Sequence, residues 1–168
     1  MIFTAFSDGS FDLGGRSVRC ALGKGGVVAA EDKREGDGAS PLGVWPLLRV
    51  LYRPDHGEAP RTTLPCAPLR PNDGWCVAPG DPNYNRPVVH PYPASAERMW
   101  RDDRLYDIVV ILGHNDDPVI PGTGSAIFLH CAREDYGPTE GCVALARADL
   151  EALLAAAKPG YAVEIRPA

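Results

Sequence analysis

The sequence predicts a mainly β protein with one or two short helices and long irregular loops. Three observations predict it. The 168 residues include 18 Gly and 17 Pro, and neither residue suits the interior of a long helix. The apolar runs are short and β-branched, as in Ile108-Val109-Val110-Ile111-Leu112, which reads as a buried strand. Residues 54 to 93 hold ten prolines and little periodicity, the pattern of shaped loops. Hydrophobic residues at 45% and charged residues at 23% are ordinary for a chain that buries a core. The length predicts one domain over 1–168.

Taken in order, Phe11 to Leu22 alternates around Gly14-Gly15 and reads as a hairpin. Gly25 and Gly26 lead into Val27-Val28-Ala29, and residues 33 to 41 form a polar, Gly-rich loop. Residues 43 to 52 read as a strand that Pro46 pushes toward an edge or a bulge. Within 54–93, Cys66 and Cys76 flank a turn-rich loop and are candidates for a local disulfide in an oxidising compartment. Ser95 is a candidate cap for a short helix through about Asp103, with Met99 and Trp100 on its apolar side. The strand from Ile108 ends at Gly113-His114-Asn115. Ala126 to Leu129 is a second buried strand that ends directly at His130. Asp149 to Ala157 gives the clearest helix, stopped by Pro159-Gly160, and Ala162 to Ile165 alternates as a last strand.

Several function classes are excluded. Net charge is −5 with no Lys/Arg run, so the basic footprint of nucleic-acid binding is missing. No apolar run reaches the roughly 18 residues of a membrane span. Met1 to Gly9 lacks a basic region followed by a long apolar stretch, so no signal peptide is read. Five cysteines without a Cys-x-x-Cys pair argue against a structural zinc site.

The sharpest chemical feature is the pair His130 and Cys142. A thiol is a useful nucleophile as thiolate, and an imidazole can take its proton. Gly141 allows close backbone approach and leaves the Cys142 N–H to face an oxyanion. A buried Cys is also a common inert hydrophobe, so an unreactive core role stands beside the catalytic one. Zinc held by His130, Cys131 and Cys142 is disfavoured, because Cys131 points away from His130 if the strand continues.

The wording around this pair resembles a known family. Ile127-Phe128-Leu129-His130 followed by Thr139-Glu140-Gly141-Cys142-Val143 is similar to the signature of YkuD-type L,D-transpeptidases, an apolar strand ending in His and then Ser/Thr-x-Gly-Cys-Ile/Val. Glu35-Gly36-Asp37-Gly38-Ala39-Ser40-Pro41-Leu42-Gly43 resembles the family's Gly-Asp-Gly-x-Thr-Pro-x-Gly element. The resemblance implies a YkuD-like β-sandwich or mixed sheet. It also implies a cysteine acyltransferase that cross-links peptidoglycan stem peptides without cofactor or metal. Cys142 would be the nucleophile and His130 the base, with the backbone carbonyl of Cys131 orienting the imidazole and Gly141 in the oxyanion region. Carbapenem-type inhibitors and a periplasmic or cell-envelope location are implied with it. Hydrolysis by the same dyad, as an L,D-carboxypeptidase or endopeptidase, and a non-catalytic peptidoglycan-binding module are the alternatives.

Departures from the family wording sharpen the remaining expectations. Glu140 stands where the family often has His, and Ala144 where it has Arg. Arg133 is then the nearest replacement for binding a substrate carboxylate, and a 1,3-type cross-link joins the 3,3 type as an expectation. Thr139 is a candidate substrate contact, and Glu140 is a salt-bridge partner, a contact for a substrate amine or a surface residue. Tyr84, Asn85 and Arg86 in the Asp81–Pro87 loop either hold a stem's carboxylates or amides or staple their own loop. Trp100, Arg101 and Tyr106 form an aromatic and basic cluster that flanks the groove, although Trp100 also suits a core. His114 is expected to share a cleft with His130. The Pro-rich stretch 54–93 is expected to be the wall or lid of that cleft.

Overall fold

The computed structural model describes residues 1–168 and is mainly β, with one α-helix. In chain order the strands are β1 (Ile2–Phe6), β2 (Ser10–Asp12), β3 (Ser17–Ala21), β4 (Val27–Val28), β5 (Ser40–Pro41), β6 (Gly43–Tyr52) and β7 (Cys66–Pro68). They continue with β8 (Asp73–Cys76), β9 (Pro87–Val89), β10 (Ala96–Arg98), β11 (Ile108–Leu112), β12 (Phe128–Cys131), β13 (Val143–Leu145) and β14 (Ala162–Arg166). The helix α1 spans Arg147–Ala156, between β13 and β14. It is not long and apolar enough to cross a membrane.

Two sheets face each other and share strands at both edges. One runs β3-β2-β1-β14-β6, and the other β3-β13-β12-β11-β6-β7. Strand β6 makes one corner. Its first part, Gly43 to Pro46, pairs with β14, and its second part, from Leu47, pairs with β11. The corner follows Pro46: Ile111 pairs with Arg49 and Leu112 with Leu47, leaving Leu48 as a bulge, the way sandwich strands turn corners. Strand β3 makes the other corner by pairing with β2 and then with β13.

Strict alternation sorts the residues of β11 and β12 between two cores. Ile108, Val110, Leu112, Leu129 and Cys131 face the main core, which also takes Phe3, Phe11 and Ile165 and the α1 leucines Leu150, Leu153 and Leu154. Val109, Ile111 and Phe128 face a second cluster with Trp75, Met99, Tyr106 and Cys142. That second face is roofed by a small sheet of order β10-β8-β9, whose Trp75 ring meets Phe128 edge-on at 5.1 Å.

Residues 95–103 correct the sequence reading. They form no helix. Ala96–Arg98 pairs antiparallel with Gly74–Cys76, the Val77 N–H donates to the Ser95 carbonyl at 3.0 Å, and the Met99 N–H donates to the Asp73 carbonyl at 3.0 Å. Long-range pairing outweighs local propensity here. Cys66 and Cys76 are not bridged. All five cysteines are free thiols, Cys66 exposed on the large sheet's edge strand and Cys76 buried in the small sheet. His130 lies inside β12 rather than beyond its end.

Candidate active site

Parallel pairing of β12 and β13 brings the key side chains together. Leu129 stands opposite Val143 and His130 opposite Ala144. Cys142, one residue before β13, therefore falls beside Phe128, on the same face as His130 and Ala144. Cys131 points the other way into the main core, as alternation requires, so His130, Cys131 and Cys142 do not converge on a metal.

The thiol and the imidazole are both buried, at 7% and 5% exposure. The His130 Nδ1 sits 2.9 Å from the carbonyl oxygen of Cys131. That oxygen can only accept, so Nδ1 carries the proton and Nε2 is left with its lone pair. Burial holds His130 down at about 4 and pushes the Cys142 thiol up to about 12. The pair is thus neutral at rest. Cys142 Sγ donates to the Ala126 carbonyl at 3.2 Å and accepts from the Phe128 N–H at 3.4 Å.

The two sequence elements, a hundred residues apart, meet at the Cys142 backbone. Thr139 Oγ1 donates to the Cys142 carbonyl at 2.7 Å and Ser40 Oγ donates to it at 3.4 Å. Between them Gly141 adopts a φ of +133°. A Cβ there would lie 2.9 Å from the Ala39 carbonyl oxygen, so glycine is needed both for the conformation and for the approach of the Gly36–Pro41 loop. That loop is held by Asp37, which accepts from the Ala39 N–H at 2.9 Å and pairs with the buried Lys33 ammonium. The Cys142 N–H donates to no protein acceptor.

His130 and Cys142 open onto a hollow of about 460 Å³. Arg101, Arg133, Thr139 and Glu140 of the expected substrate contacts line it. Glu140 is at the exposed rim, paired with Lys24 at 2.8 Å. The others lie elsewhere. Arg86 is spent on Asp116 at 3.0 Å and ties its loop to the turn after β11. Tyr84 is buried behind the hollow, where its hydroxyl donates to Glu35 and accepts from the Gly124 N–H at 3.1 Å. The Trp100 ring lies under the Arg53 guanidinium at 3.9 Å, a packing role. His114 borders a different hollow beside Trp45, because the chain turns away after Leu112. Its ring meets Trp45 edge-on at 4.8 Å, and its buried Nδ1 has no partner.

The expected wall is also displaced. Of residues 54–93 only Val77 reaches the hollow; its wall is Glu97, Arg101, Leu105 and Tyr106. Sequence reading missed Glu97, which a strand in place of the expected helix would have revealed, and Lys33, Glu35 and Ser125, which also line the site. Asn85, expected as a substrate contact or a staple of its own loop, instead positions the backbone that holds the thiol. The Asn85 Oδ1 accepts from the Ala126 N–H at 3.0 Å and from Trp75 Nε1 at 2.9 Å, fixing the residue whose carbonyl holds the thiol.

A family model described as YkuD, L,D-transpeptidase catalytic domain, matches residues 3–165. The comparisons with curated proteins and with solved structures found no match.

Proposed function

The chain belongs to the YkuD family of L,D-transpeptidase catalytic domains, and from that premise we propose that it is a cysteine acyltransferase acting on peptidoglycan stem peptides, as one catalytic domain. The observation that carries this reading is the His130 tautomer. With Nδ1 committed to the Cys131 carbonyl at 2.9 Å, Nε2 is free to accept a proton in the hollow that Cys142 also lines.

In this reading Cys142 Sγ turns from the Ala126 carbonyl and attacks the carbonyl carbon of an L-centre that precedes a D-centre. Its proton passes to His130 Nε2. A thiol near 12 and an imidazole near 4 do not form an ion pair at rest, so the proton moves as the S–C bond forms. The free Cys142 N–H faces the developing oxyanion. Collapse breaks the C–N bond, and His130 returns the proton to the leaving amine. The thioester then passes to a side-chain amine of a second stem, forming a 3,3 or 1,3 cross-link. Thr139 and Ser40, both on the Cys142 carbonyl, hold the nucleophile's backbone during these steps. Arg133, which lines the hollow without an ion pair of its own, is the cation available to substrate carboxylates where Ala144 replaces the family's Arg; Arg101 is held by Asp103.

Such a substrate requires access to the cell envelope, and a carbapenem would acylate the same thiol. The test is mass spectrometry of muropeptides after incubation with the purified protein, with a carbapenem incubation alongside. Cross-linked dimers and a carbapenem adduct at Cys142, both lost in Cys142→Ala, support transpeptidation. Shortened stems without dimers support hydrolysis by the same dyad. Wild-type product from Cys142→Ala overturns the reading.

A further inference from the structure

We infer that Glu97, held by the Tyr106 hydroxyl, binds the ammonium of the acceptor strand and removes its proton before the Cys142 thioester is aminolysed. The inference rests on the transpeptidase reading and assigns the second half of that reaction. An amine attacks only as the free base, whereas a side-chain amine is almost wholly ammonium near neutral pH. A site that uses such an acceptor needs an anion where the amine arrives.

Three carboxylates line the hollow: Glu35, Glu97 and Glu140. Glu140 is at the solvent rim with Lys24 as its counter-ion. Glu35 is turned into the layer behind, where its Oε2 accepts from Tyr84 and, at 2.7 Å, from Ser125. Glu97 alone combines a place in the wall with a link to the catalytic face. It stands opposite Trp75 in the β8–β10 pair, so its side chain shares the face that Trp75 turns toward Phe128. The Tyr106 hydroxyl donates to one of its oxygens, and the Tyr106 ring packs against the His130 ring with centroids 5.3 Å apart.

No cation of the chain forms an ion pair with Glu97. The nearest candidate, Arg101, is paired with Asp103 at 2.6 Å and lies over the Tyr106 ring at 5.0 Å. A carboxylate in a half-buried wall with a fixed donor but no counter-ion is matched to an incoming cation. Burial raises the Glu97 carboxyl above its ordinary range, which makes it a better base toward an ammonium. The groups that face it are Tyr106, Arg101 and Glu35, the Cys142 thiol, and the His90 ring at its main-chain carbonyl.

The step balances. The acceptor ammonium gives one proton to a Glu97 oxygen. The neutral amine attacks the thioester carbon, its C–N bond forms and the C–S bond breaks. The second amine proton passes to His130 Nε2 and on to Cys142 Sγ, and Glu97 releases its proton to water. Tyr106 acts as a positioning residue, through the carboxylate and the imidazole.

The test separates acylation from transfer. Glu97→Gln keeps the shape and an acceptor for Tyr106. Its rate of carbapenem adduct formation at Cys142 should not fall below wild type, because removing the Glu97 charge eases ionisation of the thiol. Its yield of dimer, from purified disaccharide-tetrapeptide donor and disaccharide-tripeptide acceptor, should fall tenfold or more, relative to the hydrolysed donor. The residual transfer should rise about tenfold per pH unit toward the pKa of the acceptor amine, a slope the wild type lacks. An unchanged dimer-to-hydrolysis ratio, or acylation lost in proportion to transfer, overturns the role. Should Glu97→Gln not fold, Tyr106→Phe carries the test: it keeps the ring against His130 and removes only the hydroxyl that holds Glu97, so transfer should fall more than acylation. A wild-type protein that forms neither adduct nor stem-peptide product would instead overturn the parent reading.

Discussion

The His130 imidazole and the Cys131 carbonyl, neighbours in β12, are joined by a hydrogen bond of 2.9 Å while their side chains enter opposite cores. Position 131 therefore serves the imidazole through its backbone and the main core through its thiol. Cys131→Ala should keep turnover within about twofold of wild type and lower stability by about 1–2 kcal/mol, the cost of a small void in a packed core. His130→Ala should abolish turnover. Steady-state kinetics and urea denaturation of the two variants check this, and loss of activity in Cys131→Ala with unchanged folding would contradict it.

Acid should destabilise the protein through two histidines. His130 and His114 are both held at about 4 in the fold against 6.5 when unfolded, His130 by burial and His114 by burial and the nearby Lys33 charge. The unfolded chain thus binds more protons between pH 6.5 and 4, and stability falls as pH drops through that window. Each group contributes on the order of 3 kcal/mol, at 1.36 kcal/mol per pKa unit. Glu97, whose carboxyl is raised, acts in the opposite sense and offsets part of the loss. His114→Phe should flatten the dependence of unfolding free energy on pH between 7 and 4. A slope equal to wild type would contradict the assignment.

Much of this architecture is legible in the sequence because the responsible signals are local. The Gly14-Gly15 hairpin, the β-branched run of β11 and the apolar run that enters β12 follow from turn chemistry and short hydrophobic runs within a few residues. The candidate pair His130 and Cys142 is legible through the wording around it. What escaped depends on contacts between distant segments. Ala96–Arg98 is a strand only because Gly74–Cys76 offers its edge, so Ser95 reads as a helix cap and the segment through about Asp103 as a short helix. The Pro-rich stretch reads as the cleft wall, yet it contributes Leu69 and Trp75 to the second core. His114 and His130 each end or interrupt an apolar run, but the turn after Leu112 sends His114 to another hollow.

Gly141 is the tightest point of the site. Its φ of +133° and the 2.9 Å approach to the Ala39 oxygen leave no room for a methyl group. Gly141→Ala should cost about 2–4 kcal/mol, from backbone strain and the displaced loop. It should also lower kcat by at least tenfold, because the Cys142 N–H and Sγ move together. Thermal denaturation with single-turnover acylation measures both effects. Wild-type acylation would show that the neighbouring loop yields instead.

Asn85 holds the thiol at one remove. Its Oδ1 serves two buried donors, the Ala126 N–H and Trp75 Nε1, and its Nδ2 reaches the Asn115 carbonyl at 2.7 Å. Asn85→Ala orphans all three and should cost about 2–4 kcal/mol. It should also free the Ala126 carbonyl from its fixed place, so Cys142 should be alkylated at a changed rate by iodoacetamide in protein that remains folded. A loss of stability with an unaltered alkylation rate would reduce Asn85 to a packing role.

Among the basic and aromatic candidates, position relative to the hollow predicts which substitutions touch substrate. Arg133 lines it without an ion pair, whereas Arg101 lines it paired with Asp103, Arg86 pairs with Asp116 away from it, and Trp100 packs under Arg53. Arg133→Ala should raise the KM of a donor stem several-fold, because an exposed guanidinium that binds a carboxylate contributes about 1 kcal/mol or more to affinity. Trp100→Ala should leave KM unchanged and lower the melting temperature, since it removes a half-buried ring and the cation–π contact with Arg53. Arg86→Ala should behave like Trp100→Ala, more mildly, because a surface ion pair contributes little. Kinetics against donor concentration, set beside melting curves, separate the two groups. A KM effect confined to Trp100 or Arg86 would mean that the substrate runs along the roof of the second core and not through the hollow at Cys142.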